Sequence, residues 1–131
     1  LDASVDGKKL VICAQGVPCG NATKQLAEKL GVTLNPVSEE QKVTDVRAKV
    51  ESGEADAGLV YATDAKAAGD KVETIEVARA NEVVNSYPIA LAVSTKNKEA
   101  AQKFIDAVLS DQGQAILKKY GFSGPIASDQ G

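Results

Sequence analysis

The sequence predicts an α/β fold with a central, mostly parallel sheet flanked by helices, and three observations carry that expectation. Apolar runs of strand length stand at Lys9–Ala14 and Ala57–Tyr61. Segments with helical apolar spacing follow them, so strands and helices alternate. The connections hold turn residues, as in Gln-Gly-Val-Pro-Cys-Gly (15–20). Continuous apolar runs suit strands buried on both faces, and alternation with helices suits parallel pairing.

Element by element, residues 1–7 are polar and expected to fray. Lys9 to Ala14 is the first strand. A helix over Asn21–Leu30 carries Ala22, Leu26 and Leu30 at i, i+4, i+8, with Ala27 beside them and Gly31 as its stop. Val32–Asn35 is expected as a second strand. Val43, Val46 and Val50 stand at i, i+3, i+7 in a helix over 43–52 that Thr44 or Asp45 could cap and Gly53 ends. Ala57–Tyr61 is a strand, and Thr63 or Asp64 opens a short helix through Ala68. Val72–Val77 alternates as a strand near an edge would. Tyr87–Val93 is a further strand, which Pro88 confines to an edge or a crossover. Ala101, Phe104, Ile105 and Val108 mark an amphipathic helix, and Asp111 is expected to cap another bearing Ile116, Leu117 and Tyr120. No strand is expected after Val93.

Composition narrows the function. A chain of 131 residues is one domain or one lobe of something larger. Its 15 Lys and Arg are scattered singly under a net charge of −3, which leaves no basic stripe for nucleic acid or anionic lipid. Histidine is absent, removing the commonest general base and the usual zinc ligand. No apolar run approaches the roughly 20 residues of a membrane span. Leu1 is not an initiator Met, and the chain is expected to be a processed or cut-down product.

Cys13 and Cys19 are the only cysteines, and their spacing fits neither a C-x-x-C redox motif nor a zinc knuckle. They are either two unrelated small core residues or a local disulfide across the loop between them. The disulfide is the favoured reading. It would imply an exported protein and contribute about 2 kcal/mol in the chain-entropy picture.

Three features could carry chemistry. Val17-Pro-Cys-Gly20 joins the first strand to its helix, where backbone N–H groups near Cys19 and Gly20 would point out of the helix start; an ordinary βα loop reads the same way. An N–H near Val46 would be among the unpaired first-turn donors of its helix, while the Val46 side chain belongs to the core. Asp45 there is a cap rather than a base. Tyr61 ends the most apolar strand with its hydroxyl at the same end of the sheet; it could equally be a half-buried tyrosine reaching solvent. Backbone N–H groups and one neutral hydroxyl suit a small oxyanion. They offer no nucleophile, metal cluster or cofactor loop, so Asp45, Asp64 and Tyr61 do not read as an enzyme's acid–base set. Three uncharged donors, at roughly 1.5–3 kcal/mol each toward a charged ligand, make half a site.

Five motifs then stand in a telling order: Val17-Pro-Cys-Gly20, Val43-Thr-Asp-Val-Arg47, Ala57-Gly-Leu-Val-Tyr61 with Asp64-Ala65, Tyr87-Pro-Ile-Ala90 and Tyr120-Gly-Phe122. Over about residues 7–122 the chain resembles molybdate-binding periplasmic proteins, the solute receptors of molybdate ABC importers, and its paired cysteines look like the actinobacterial branch. The resemblance implies one lobe of a type II periplasmic binding protein, exported and often lipid-anchored. It implies molybdate or tungstate as ligand, no cofactor, and a membrane permease as partner. By resemblance the second lobe supplies the N–H of Cys19, the N–H of Val46 and the hydroxyl of Tyr61. Many relatives carry Ala at the place of Cys19, a change a backbone donor tolerates. Segment 1–93 then corresponds to the ligand-binding second lobe with its return crossover, and 94–131 to helices that pack on a first lobe preceding residue 1. Without that lobe, those helices are expected to dock on another copy or repack on the sheet. The competing class is the effector-binding domain of a transcriptional regulator with the same two-lobed fold, and the cysteine pair weighs against it.

Overall fold

The computed structural model describes residues 1–125. Residues 126–131, the end of the expected 94–131 segment, lie outside the described residues. The chain forms two compact units that divide after Asn85.

The first unit is built on three parallel strands. β1 (Leu10–Cys13) is central, with β2 (Ser38–Glu40) on one side and β3 (Ala57–Gly58) on the other. Val11 lies opposite both Ser38 and Gly58, which fixes the register on each side. All four residues of β1 are buried, as the continuous apolar run requires. Short connections lead from each strand to a helix: α1 (Pro18–Leu30), α2 (Val43–Glu51) and α3 (Ala62–Ala68). The core joins β1 to these helices through Val11, Cys13, Cys19, Val46 and Ala55, with Val43, Val50, Val60 and Tyr61 packed against it.

Several local expectations are corrected. Residues 3–5 form a short 3₁₀ turn. The second strand is Ser38–Glu40, not Val32–Asn35. Pro36 offers no N–H, and the β1–β2 pairing begins beyond it, where the Val37 N–H donates to the Leu10 carbonyl at 2.8 Å. α1 begins at Pro18, three residues before the expected Asn21, because proline at the first helical position costs no hydrogen bond. Gly31 does stop it, in the left-handed conformation (φ 65°). Lys42, not Thr44 or Asp45, occupies the N-cap of α2, with no side-chain cap. Tyr61, not Thr63 or Asp64, is the N-cap of α3, since the strand ends at Gly58.

Val72–Val77 and Tyr87–Val93 are not strands: neither joins a ladder among the described residues, and Ile75, Tyr87 and Val93 are exposed. Strand-forming residues without a pairing partner do not make a strand. The segment after α3 is held instead by Arg79, the one non-glycine residue with positive φ among the described residues. Its guanidinium donates to the Lys29 carbonyl at the end of α1 (2.7 Å) and to both carboxylate oxygens of Glu82 (2.9 Å each).

In the second unit, α4 (Lys98–Leu109) and α5 (Asp111–Lys119) form a helical pair. Ser110, not Asp111, caps α5: its hydroxyl oxygen accepts from the Gly113 N–H at 3.1 Å. Tyr87 and Phe122 meet edge to face, ring centroids 5.7 Å apart.

Candidate functional site

Topology brings the singled-out residues to one side of the sheet. All three strands run the same way and each feeds a helix after a short connection, so the starts of α1, α2 and α3 lie toward the carboxyl ends of β1, β2 and β3. Ligands of open parallel sheets bind there. Cys19 is the second residue of α1, Val46 stands in the first turn of α2, and Tyr61 is the N-cap of α3. Cys19 and Val46 are buried in the same core cluster, and Tyr61 packs against it.

Cys19 is held by two contacts. It forms a disulfide with Cys13, the last residue of β1, with Cα atoms 5.6 Å apart. The Thr23 hydroxyl donates to its carbonyl at 2.8 Å. Cys19 is only 8% exposed and its sulfur is in the disulfide, so the polar group it can still offer is the backbone N–H. The first backbone bond into α1 comes from the Asn21 N–H to the Val17 carbonyl (2.9 Å), and the N–H groups of Cys19 and Gly20 precede it. Pro18 has no N–H to compete. Asn21 also closes the loop by accepting from the Gly16 N–H at 3.3 Å.

Gly20 is required by packing. A Cβ there would sit 1.8 Å from the Ala14 carbonyl oxygen, so glycine lets the helix start press against the end of β1. Close approach of backbone to backbone requires it, before any ligand is considered.

At α2 the donor inventory shifts. The Val46 N–H donates to the Lys42 carbonyl at 3.4 Å, a long bond to an acceptor that also takes the Asp45 N–H (3.1 Å), rather than standing unpaired as expected; the N–H groups of Val43 and Thr44 precede these two. The Val46 side chain is wholly buried, as the apolar spacing implied. Gly58 accommodates this packing, since a Cβ would lie 2.8 Å from a Val46 methyl and 2.9 Å from a Val50 methyl. Asp45 borders a shallow groove with Glu40, Lys49 and Glu54. Lys49 donates to Glu40, whose carboxylate also accepts from the Ser38 hydroxyl at 2.6 Å. The lysine first and the serine second hold the Glu40 carboxyl below the ordinary carboxylate range, and Glu40 raises Lys49 in return.

Tyr61 has its ring against the core and its backbone extended at the helix start (φ −70°, ψ 155°). Its hydroxyl oxygen accepts a hydrogen bond from the Asn85 side-chain amide. Sequence reasoning passed over Asn85, which lies in no periodic element. The cue available was its position just before the Tyr87-Pro motif.

A profile described as bacterial extracellular solute-binding protein matches residues 1–123. The chain is 43% identical over 124 residues to the molybdate-binding protein ModA of Mycobacterium tuberculosis, covering 95% of this chain and 48% of that protein. It is 34% identical over 121 residues to the Escherichia coli molybdate-binding protein ModA, covering 89% of this chain and 46% of that protein. A Bacillus subtilis protein provisionally named ABC transporter substrate-binding lipoprotein YvgL is 31% identical over 115 residues, covering 83% and 43%. The chain therefore spans about half the length of the curated relatives it matches. No solved structure matches.

Proposed function

The chain belongs to the bacterial extracellular solute-binding protein family, and from that premise we propose that it is the second lobe of an extracytoplasmic oxyanion receptor. Molybdate or tungstate is the ligand, and the membrane permease of an ABC importer receives it. The observation that supports this reading is that Cys19, Val46 and Tyr61, from the starts of three helices, share one core cluster at the carboxyl ends of three parallel strands; the donors proposed there are the N–H groups at Cys19 and Val46 and the hydroxyl of Tyr61. The names of the mycobacterial and Escherichia coli relatives support molybdate over other tetrahedral anions.

The chemistry is binding, not bond cleavage. A doubly charged anion at these helix starts meets N–H dipoles without counter-charges, so it is held by hydrogen bonds that also release it. The Val46 N–H, already in a long bond to Lys42, would serve as a shared donor. Further donors come from a first lobe outside this chain. The disulfide supports an exported receptor over a cytoplasmic regulator. The Bacillus subtilis relative's name supports a lipid anchor at the cell surface, with the periplasm as the alternative setting.

Calorimetric titration of the full-length receptor with molybdate, tungstate and sulfate tests this. Tight binding of molybdate and tungstate is expected, with Tyr61→Phe weakening it about 10- to 100-fold, the worth of one hydrogen bond to a charged ligand. Equal affinity for sulfate, or no binding of any of the three, would defeat the assignment.

A further inference from the structure

We infer that Cys13 and Cys19 are a positioning pair for this site: their disulfide fixes the Cys19 N–H, so the anion binds the disulfide form more tightly than the dithiol form. The inference rests on the receptor reading above and assigns the two cysteines a part in it. The bond ties the last residue of β1 to the second residue of α1, across the connection that leads to the donor. Both cysteines belong to the core cluster, Cys13 at 1% and Cys19 at 8% exposed, so the tie anchors the helix start to the central strand.

The other ties at that helix start are weaker. Its N-cap is Val17, whose side chain makes no capping bond. Ala14, on the strand side, is held firmly, its N–H donating to the Glu40 carbonyl at 2.7 Å. Across the connection the bonds lengthen: the Val17 N–H reaches the Ala14 carbonyl at 3.4 Å and the Gly16 N–H reaches the Asn21 side-chain oxygen at 3.3 Å. An ordinary bond of this kind is about 2.9 Å. The Thr23 bond to the Cys19 carbonyl lies within α1 and moves with it. Gly20 allows the helix to press on Ala14 but brings no side chain to hold it there. Between the two cysteines stands Gly16, exposed and at φ 98°, about which the connection can reorient.

Reduction gives the disulfide two electrons and two protons and leaves two thiols, while a dithiol reductant becomes a disulfide. The ring is short, so the bond constrains the unfolded chain only modestly. Its larger effect falls on the folded connection. In the dithiol form the helix start samples orientations in which the Cys19 N–H misses the anion, and affinity falls by the fraction of time it is aligned. Binding and redox state are then linked: an anion that prefers the disulfide form makes that form harder to reduce by the same factor.

The test uses the full-length protein with tungstate as the probe, since tungsten(VI) is harder to reduce than molybdenum(VI). Calorimetry compares the oxidised parent with Cys13→Ala/Cys19→Ala, well below their melting temperatures. The potential of the Cys13–Cys19 pair is read in dithiothreitol redox buffers with and without saturating tungstate, with circular dichroism following the fold. The double variant is expected to bind about tenfold more weakly. Tungstate should make the potential about 30 mV more negative, the same tenfold converted. A disulfide that only stabilises the fold would lower the melting temperature and move neither reading. Affinity of the folded variant within about twofold of the parent overturns the inference, as does a shift below about 9 mV, the equivalent of twofold. A dithiol form that unfolds would assign the bond to fold stability alone and also overturn it. Should only the double variant fail to fold, the potential shift in the parent decides. An oxidised parent that does not bind tungstate would instead remove the receptor reading on which the inference stands.

Discussion

Gly20 and Val46 separate what backbone does here from what side chains do. With a Cβ 1.8 Å from the Ala14 carbonyl, Gly20→Ala forces apart the two segments that present the Cys19 N–H. It is expected to cost about 3 kcal/mol or more in urea denaturation, because the clash is with backbone and no rotamer relieves it. A loss under about 1 kcal/mol would show that the close approach is not needed. Val46 makes the complementary case. Removing two buried methyl groups in Val46→Ala should cost about 2 kcal/mol of stability. Since only the backbone is proposed to meet the ligand, affinity in the full-length protein should change little.

Two ties hold the elements that carry these residues. The disulfide joins the end of β1 to the second residue of α1. Its reduction, or Cys13→Ser, is expected to lower stability by about 2 kcal/mol in chemical denaturation, since it closes only a short loop. On the other flank, Glu40 in β2 and Lys49 in α2 hold an edge strand to its helix. The Glu40 carboxyl lies below its ordinary value, so its contribution is present above the unfolded range near about pH 4.3 and is lost as pH falls through the folded value. Lys49 is raised, so its share is full at neutral pH and disappears only in strong base. Glu40→Gln should therefore be less stable than the parent at pH 7, with the gap narrowing toward pH 3; a gap that widens on acidification would contradict the assignment. This flank was also the least legible in sequence. β2 reads Ser-Glu-Glu, an edge strand stabilised by pairing and side-chain ties rather than burial, and apolar pattern pointed instead to Val32–Asn35. By contrast, the four buried residues of β1 and the valine spacing of α2 announced themselves, because each satisfies periodicity and burial at once.

At the scale of the molecule, the parallel sheet with helix starts at one edge was legible, and so were Cys19, Val46 and Tyr61 as residues near it. The hydrogen-bond economy was not. That Val46 already donates to Lys42, and that Asn85 reaches Tyr61, depends on contacts no linear spacing reports. The helical pair α4–α5 leaves Phe104, Leu109, Ile116 and Tyr120 exposed. We propose that these side chains belong to an associating surface, whose occupant is the receptor's first lobe. Residues 1–131 produced alone are accordingly expected to self-associate in light scattering, and a Phe104→Lys/Ile116→Lys variant to reduce this. A monodisperse monomer would count against the proposal. The central claim is that Cys19, Val46 and Tyr61 form one wall of the anion site. Its most direct test is a crystal structure of the full-length protein with tungstate, whose tungsten is located by anomalous scattering. The account predicts tungstate oxygens within hydrogen-bonding distance of the Cys19 N–H, the Val46 N–H and the Tyr61 hydroxyl; a tungsten peak remote from these three groups would contradict it.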